Sequence, residues 1–167
     1  MKFEYISDKP QTDPVKLASM IRRIRMFSNF TQLDMVNIAK FLSLKFIKSG
    51  TVIFREGDTD MAMYFVVTGR VNVVKQSPDA DTKITTISQG QSMGEMSLLD
   101  TLPYSATVMA ETNCNLVVLT RERYDALLKD YPKLAIKLLS QLSKLLSIRL
   151  RLTTGTLVSI AGKSDRP

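Results

Sequence analysis

The sequence predicts a mainly β protein with flanking helices: an antiparallel β-roll or jelly roll, N-terminal helices, and a long C-terminal dimerisation helix. Three observations predict it. The hydrophobic period is helical before about Phe46, strand-like to Leu119, and helical again afterwards. The middle zone breaks into short β-rich runs divided by glycine-bearing turns, the pattern of a sandwich, jelly roll or small barrel. The last zone is leucine-rich over more than one stripe of a helix.

In chain order, residues 1–45 read as a helical segment. Asp13-Pro14 offers an N-cap followed by proline at the first helical position, and Val15, Ala18, Ile21 and Ile24 recur at helical spacing up to Met26. Thr31 with Asp34 three residues on forms an approximate capping box. It opens a helix carrying Leu33, Val36, Ile38 and Leu42. Residues 46–120 form the roll, with β-rich runs at Thr51–Phe54, Met63–Val67, Val71–Lys75, Lys83–Ile87, Thr107–Ala110 and Leu116–Leu119. Turn signals fall at Ser49-Gly50, Glu56-Gly57-Asp58, Thr68-Gly69-Arg70 and Ser77-Pro78-Asp79. Thr68-Gly69 between MYFVV and VNVVK marks a tight hairpin, because glycine accepts positive φ.

Residues 121–155 return to helix. Arg121–Lys129 makes a short one, Tyr131-Pro132 interrupts it, and a helix of roughly twenty residues runs from Lys133 to about Leu152. Gly155 is expected to end it, leaving 156–167 as a flexible polar tail. Leu134, Leu138, Leu142 and Leu145 form one apolar line, and Ala135, Leu139, Leu142 and Leu146 a neighbouring one. One sheet needs only one stripe, so the second is expected to meet another copy in a homodimer.

Composition excludes several function classes. Histidine is absent and Cys114 is the only cysteine, which removes the usual general base, the usual transition-metal ligand and any internal disulfide. No serine triad of the usual form can be assembled, so no enzyme is expected. The acids of Glu56-Gly57-Asp58 and Asp60 lack the ligand ladder of a calcium loop, so no metal is expected. Cys114 has no basic neighbour to activate it and reads as a structural thiol; Met93 reads as a core filler. No apolar run approaches the ~20 residues of a membrane span, and the start MKFEYISDKPQTD is unlike a signal peptide, so a cytoplasmic location is expected. The net charge of +7 is spread along the chain, densest at Arg22-Arg23-Arg25 and from Lys144 to Arg151. It reads as solvated surface rather than a nucleic-acid face.

Residues of about 27 to 152 resemble the cyclic-nucleotide-binding domain family, in the style of the bacterial cAMP receptor protein. FSNFTQLDMVNIAKFLSLKFIKSGTVIFREGD is similar to the family's opening signature and MYFVVTGRVNVV to the hairpin that follows. Gly50, Gly57, Gly69 and Gly94 stand where the family turns its roll. The resemblance implies that residues 90–108, containing GEMSLLDTLPYSATV, are the phosphate-binding cassette. In the family a short helix aims backbone N–H groups at the cyclic phosphate, a glutamate accepts from the ribose 2′-hydroxyl, and an arginine neutralises the phosphate.

Carried over residue by residue, Gly94 and Glu95 match, Met96, Leu98 and Leu99 keep the apolar anchor, and Ser97 replaces alanine. Pro103, Ser105, Ala106, Thr107 and Val108 match as well, but Tyr104 stands where the arginine belongs. A phenol can donate one neutral hydrogen bond or stack on a base but cannot balance a phosphate. Losing an arginine fork costs on the order of 10²–10⁴ in affinity. The family's long helix caps the pocket, and here its reading position falls near Ile148 to Arg151. Arg149 or Arg151 is therefore a candidate to approach a ligand, the alternative being that both are solvated or pair across a dimer.

The expected ligand-binding set is Gly94, Glu95, Met96, Ser97, Tyr104, Ser105, Ala106, Arg149 and Arg151. The candidate ligands are cAMP, cGMP or cyclic di-GMP, with no resident cofactor. The expected function is a stand-alone regulatory sensor that signals to a protein partner. The alternative is a degenerate domain that binds no nucleotide and serves as an interaction or dimerisation module. Family regulators carry a helix-turn-helix after the long helix; about fifteen residues follow here, so DNA binding is not expected.

Overall fold

A computed structural model of the chain describes residues 13–75 and 82–164, with 159–164 as backbone only. Two N-terminal helices, α1 (Pro14–Ile21) and α2 (Gln32–Ala39), flank a 3₁₀ turn at Arg25–Phe27. The strands are β1 (Ser43–Ile47), β2 (Val52–Phe54), β3 (Ala62–Thr68), β4 (Arg70–Lys75), β5 (Thr82–Ser88), β6 (Ser92–Met93), β7 (Thr107–Ala110) and β8 (Cys114–Thr120). A short helix α3 (Glu95–Asp100) lies between β6 and β7, and α4 (Arg121–Asp130) and α5 (Pro132–Ser164) follow β8.

The expected caps are present. The Asp13 side chain accepts from the Val15 N–H, and Thr31 and Asp34 form a reciprocal capping box. The first helix stops at Ile21 and the second carries its core contacts on Met35, Ile38 and Ala39. Val15 and Leu33, expected inside, are 59% and 70% exposed, because each sits one turn-position off the buried face. The predicted turn at Ser77-Pro78-Asp79 lies outside the described residues.

Two antiparallel sheets build the roll, in the orders β1-β8-β3-β6 and β2-β7-β4-β5. β3 and β8 pair centrally and are covered on both faces. Ala62, Tyr64 and Val66 point into the roll with Leu116 and Val118, against Phe54, Val71, Ile87, Val108 and Ala110. Met63 and Phe65 point the other way with Val117 and Leu119, into a second core made with the helices. Double coverage explains why MYFVV and LVVL are unbroken apolar runs rather than alternating ones. The β3–β4 turn is the predicted hairpin, with Gly69 at φ +94°. A Cβ there would stand 2.6 Å from both the Asn113 carbonyl oxygen and Cys114 Sγ. Cys114 itself is buried, its thiol donating toward backbone carbonyls of Arg70 and Thr112.

The long helix exceeds expectation. Pro132 opens it, but it continues through Gly155 to Ser164, so residues 156–164 are helical rather than a tail. Gly155 has open space around it and nothing there forces a left-handed stop. Leu134, Ala135, Leu138 and Leu142 are buried in the helical core, with Leu139 and Leu145 packed at its edge.

The turn geometry gives a direct expectation. Gly69→Ala should lower stability by about 1–3 kcal/mol, since it combines a positive φ with overpacking against backbone. Thermal unfolding by circular dichroism should read this as a midpoint roughly 2–10 °C lower.

Candidate functional site

The cassette begins with Gly94, which caps α3 in the left-handed region at φ 78°. A Cβ there would lie 2.4 Å from the Ala62 carbonyl oxygen and 3.2 Å from Tyr104 Cε1. The head of the loop is therefore pressed against β3 and against the loop's own far end. Leu98 is fully buried beneath α3 and Leu99 is partly so. Met96, expected as part of the apolar anchor, is half exposed, because its side chain leaves the short helix on the solvent side. Arg121 at the start of α4 donates to the Leu98 carbonyl oxygen at 2.9 Å and ties α3 to the next layer.

Tyr104 does not stand out toward a ligand. It is 3% exposed, its hydroxyl donates to the Ala62 carbonyl oxygen at 2.9 Å, and it accepts from the Ala62 N–H at 3.0 Å. Its ring stacks on Phe54 with centroids 3.9 Å apart and planes at 16°. The backbone is equally held: Tyr104 N–H donates to Asp58 O, and Gly57 N–H to Tyr104 O. In this structure the Tyr104 side chain is thus turned into the roll. Its hydroxyl is satisfied by backbone and its ring by an aromatic neighbour, so it serves the roll's interior.

Glu95 is 4% exposed, at the head of α3. Arg149 reaches it from α5: one guanidinium nitrogen donates to Glu95 Oε1 and the other to the Ser92 carbonyl oxygen at 2.5 Å. Among the described residues, Glu95 Oε2 and the buried Ser97 Oγ find no hydrogen-bond partner. Of the two arginines expected near the cassette, the structure brings in Arg149 alone. Arg151 is exposed beside Ser147, Leu150 and Thr154, since two residues along a helix turn it away. Ser105 is exposed and Ala106 half-buried at the loop's end.

Sequence reasoning missed one cation. Lys75, at the end of β4, donates to the Ser105 carbonyl oxygen at 2.8 Å and pairs with Glu56 at 2.5 Å. The Glu56 N–H in turn donates to Thr107 Oγ1, while Asp58 accepts from the Arg55 N–H. Of the acids at this turn, Glu56 and Asp58 are committed to these contacts. β4–β7 pairing, which places Val74 opposite Thr107, is what brings Lys75 to the loop. Only a tertiary register could have revealed it.

Among the described residues no helix is long and apolar enough to cross a membrane. A protein of Rhodopseudomonas palustris named as a potassium channel is 33% identical over 120 residues, covering 72% of this chain and 29% of that protein. A lysophospholipase of Chaetomium globosum is 30% identical over 83% of this chain and 9% of its own length. The chain spans under a third of the length of these curated relatives. Among solved structures, a cyclic nucleotide-binding domain from Methylobacillus flagellatus superposes with a TM-score of 0.76 at 27% identity, covering 86% of this chain and 81% of that one. The catabolite activator protein of Thermus thermophilus gives 0.72 at 27% identity, over 81% of this chain and 62% of its own. The family profile described as cyclic nucleotide-binding domain matches residues 44–131, from β1 to the start of α5 and across the whole cassette. By that match and this roll, the chain belongs to the cyclic nucleotide-binding domain family.

Proposed function

We propose that this chain is a non-catalytic regulatory module that senses a nucleotide at Gly94–Val108 and passes the signal through α5 to a protein partner. The observation that carries this reading is Glu95. A carboxylate oxygen buried without a partner is costly, and a ligand hydroxyl is the group that would satisfy it. A ribose 2′-hydroxyl supplies that donor, which keeps cAMP, cGMP and cyclic di-GMP as the candidate ligands. A similar solved structure is named as an activator protein, which supports a regulatory role.

The phosphate is the weak end of this recognition. Tyr104 supplies no charge, and Lys75 must exchange Glu56 before it can meet an anion. A swap between half-exposed partners gains little, so cAMP affinity should be low. A second reading has its own support: Tyr104 fills the interior, which favours a packed scaffold that serves interaction alone.

We further propose that α5 mediates a homodimer. Ile136, Leu139, Ser143, Leu146, Leu150, Thr153 and Leu157 alternate at spacings of three and four, the period of a coiled-coil seam. Ile136, Leu150 and Leu157 are 64%, 68% and 62% exposed, so most of this face is open, while Leu139 packs at the edge of the helical core.

Calorimetry with cAMP, cGMP and cyclic di-GMP tests the sensing role. Heat with at least one is expected, and none with any of the three leaves the scaffold reading. Tyr104→Arg should tighten cAMP binding by on the order of 10²–10⁴ if the loop is otherwise intact. Tyr104→Phe should leave binding unchanged but cost about 1–3 kcal/mol of stability, because the Ala62 N–H and carbonyl lose their shared partner. For the dimer, Leu146→Glu with Leu150→Glu should halve the mass measured by light scattering; an unchanged mass refutes the seam.

A further inference from the structure

We propose a second binding site in the cleft between α2 and the α4–α5 junction, one that takes a small organic monocarboxylate with an apolar body. It shares no residue with the cassette and does not depend on how that loop is read. The cleft has a volume of about 320 Å³ and is lined by Asp34, Asn37, Tyr131, Pro132, Lys133 and Leu134. That is the lower end of the range for small-molecule sites. Pro132, Leu134 and the Tyr131 ring give it apolar walls. Lys40, the C-cap of α2, fixes its polar edge. Its ammonium donates to Asn37 Oδ1 at 2.9 Å and to the Tyr131 hydroxyl at 3.3 Å, and it lies 5.5 Å from the Tyr131 ring centroid. Phe41 packs edge-on against the same ring, with centroids 5.7 Å apart, and holds it in place.

The donors at this edge outnumber the groups that answer them. An ammonium carries three N–H donors and no acceptor. For Lys40 two of them go to neutral oxygens, and among the described residues none meets an acid. The Tyr131 O–H and the Asn37 Nδ2 group likewise find no acceptor among the described residues. Lys133, exposed on the α5 side, has no acid there either. Lys137 differs, because Asp34 closes it at 2.8 Å while also accepting from the Thr31 N–H. Burial pushes the Asp34 pKa up, but the hydrogen bonds from Lys137 and Thr31 outweigh it and hold the carboxyl below its usual range. Asp34 therefore stays an anion inside the cleft. Two open cations and two neutral donors beside one fixed negative charge suit a single carboxylate. Its two oxygens can meet Lys40 and a neutral donor together, whereas a dianion would face Asp34 at close range. The apolar walls gain only from a ligand whose body removes them from water, which a bare inorganic anion does not.

The test is an NMR titration of the full chain with phenylacetate, indole-3-acetate and hexanoate. At least one should shift the Asn37 side-chain amide, Tyr131 and Leu134 signals, with a dissociation constant on the order of 1 mM, as befits ligands of about ten heavy atoms. Phenylacetamide and phenethylamine, close in shape but neutral or cationic, should shift none of them. Lys40→Gln should weaken binding of the acid about tenfold and Lys133→Gln about threefold. Both variants should keep the parent's thermal midpoint, since both positions are exposed and glutamine at 40 retains a donor for Asn37 and Tyr131. No shift with all three acids overturns the site, and so does equal binding of phenylacetamide or undiminished binding in both variants. Tighter binding of phenyl phosphate than of phenylacetate overturns the carboxylate assignment. Shifts produced by the peptide acetyl-Phe-Glu-Leu-amide, with none from the free acids, make the cleft a protein-docking surface and overturn the proposal as well.

Discussion

A carboxylate almost wholly removed from water must be met by charge or by donors, and the cassette is organised around meeting Glu95. Burying an ion and then removing its partner costs several kcal/mol, which makes the Arg149 contact a constraint on where α5 can lie. The helix crosses the cassette at the one height from which a guanidinium spans Glu95 and Ser92. The apolar residues below that point supply the adhesion, and the arginine sets the register.

The roll makes this contact possible by being packed on both sides. β3 carries Met63 and Phe65 toward the helices and Ala62, Tyr64 and Val66 inward, so one strand belongs to two cores at once. Tyr104 is fixed to the same strand through the Ala62 backbone, and Gly94 abuts that residue from the other end of the loop. The two ends of the cassette thus share a single anchor on β3. A substitution at Ala62 would disturb head and tail together.

Much of the fold was legible because its signals are local. Asp13, Thr31 and Pro132 announce helix starts through hydrogen bonds within a few residues, and Gly69 announces a hairpin through its φ. The end of α5 was not legible: Gly155 weakens a helix without ending one, and no residue nearby forces a stop. The strand Ser92–Met93 is too short to carry any period. At the site, the bounds of the loop were legible through its resemblance to the family's cassette, and the register of the long helix put Arg149 or Arg151 near it without choosing between them. What could not be read is orientation. Nothing local says that Tyr104 turns inward onto Phe54, that Met96 turns outward, or that Lys75 arrives from a strand whose partner lies thirty residues on.

Orientation also decides what the site can select. Glu95 and Arg149 cancel, and Glu56 and Lys75 cancel, so the loop meets a ligand as two closed pairs rather than as a field of one sign. A monoanion gains little from approaching two neutral pairs, whereas a hydroxyl gains from an acceptor oxygen that has no other donor. On the proposed reading, discrimination therefore shifts from the phosphate to the sugar. An arginine at position 104 would add a positive charge and reverse that order, so the phenol both packs the roll and withholds the charge a phosphate would meet.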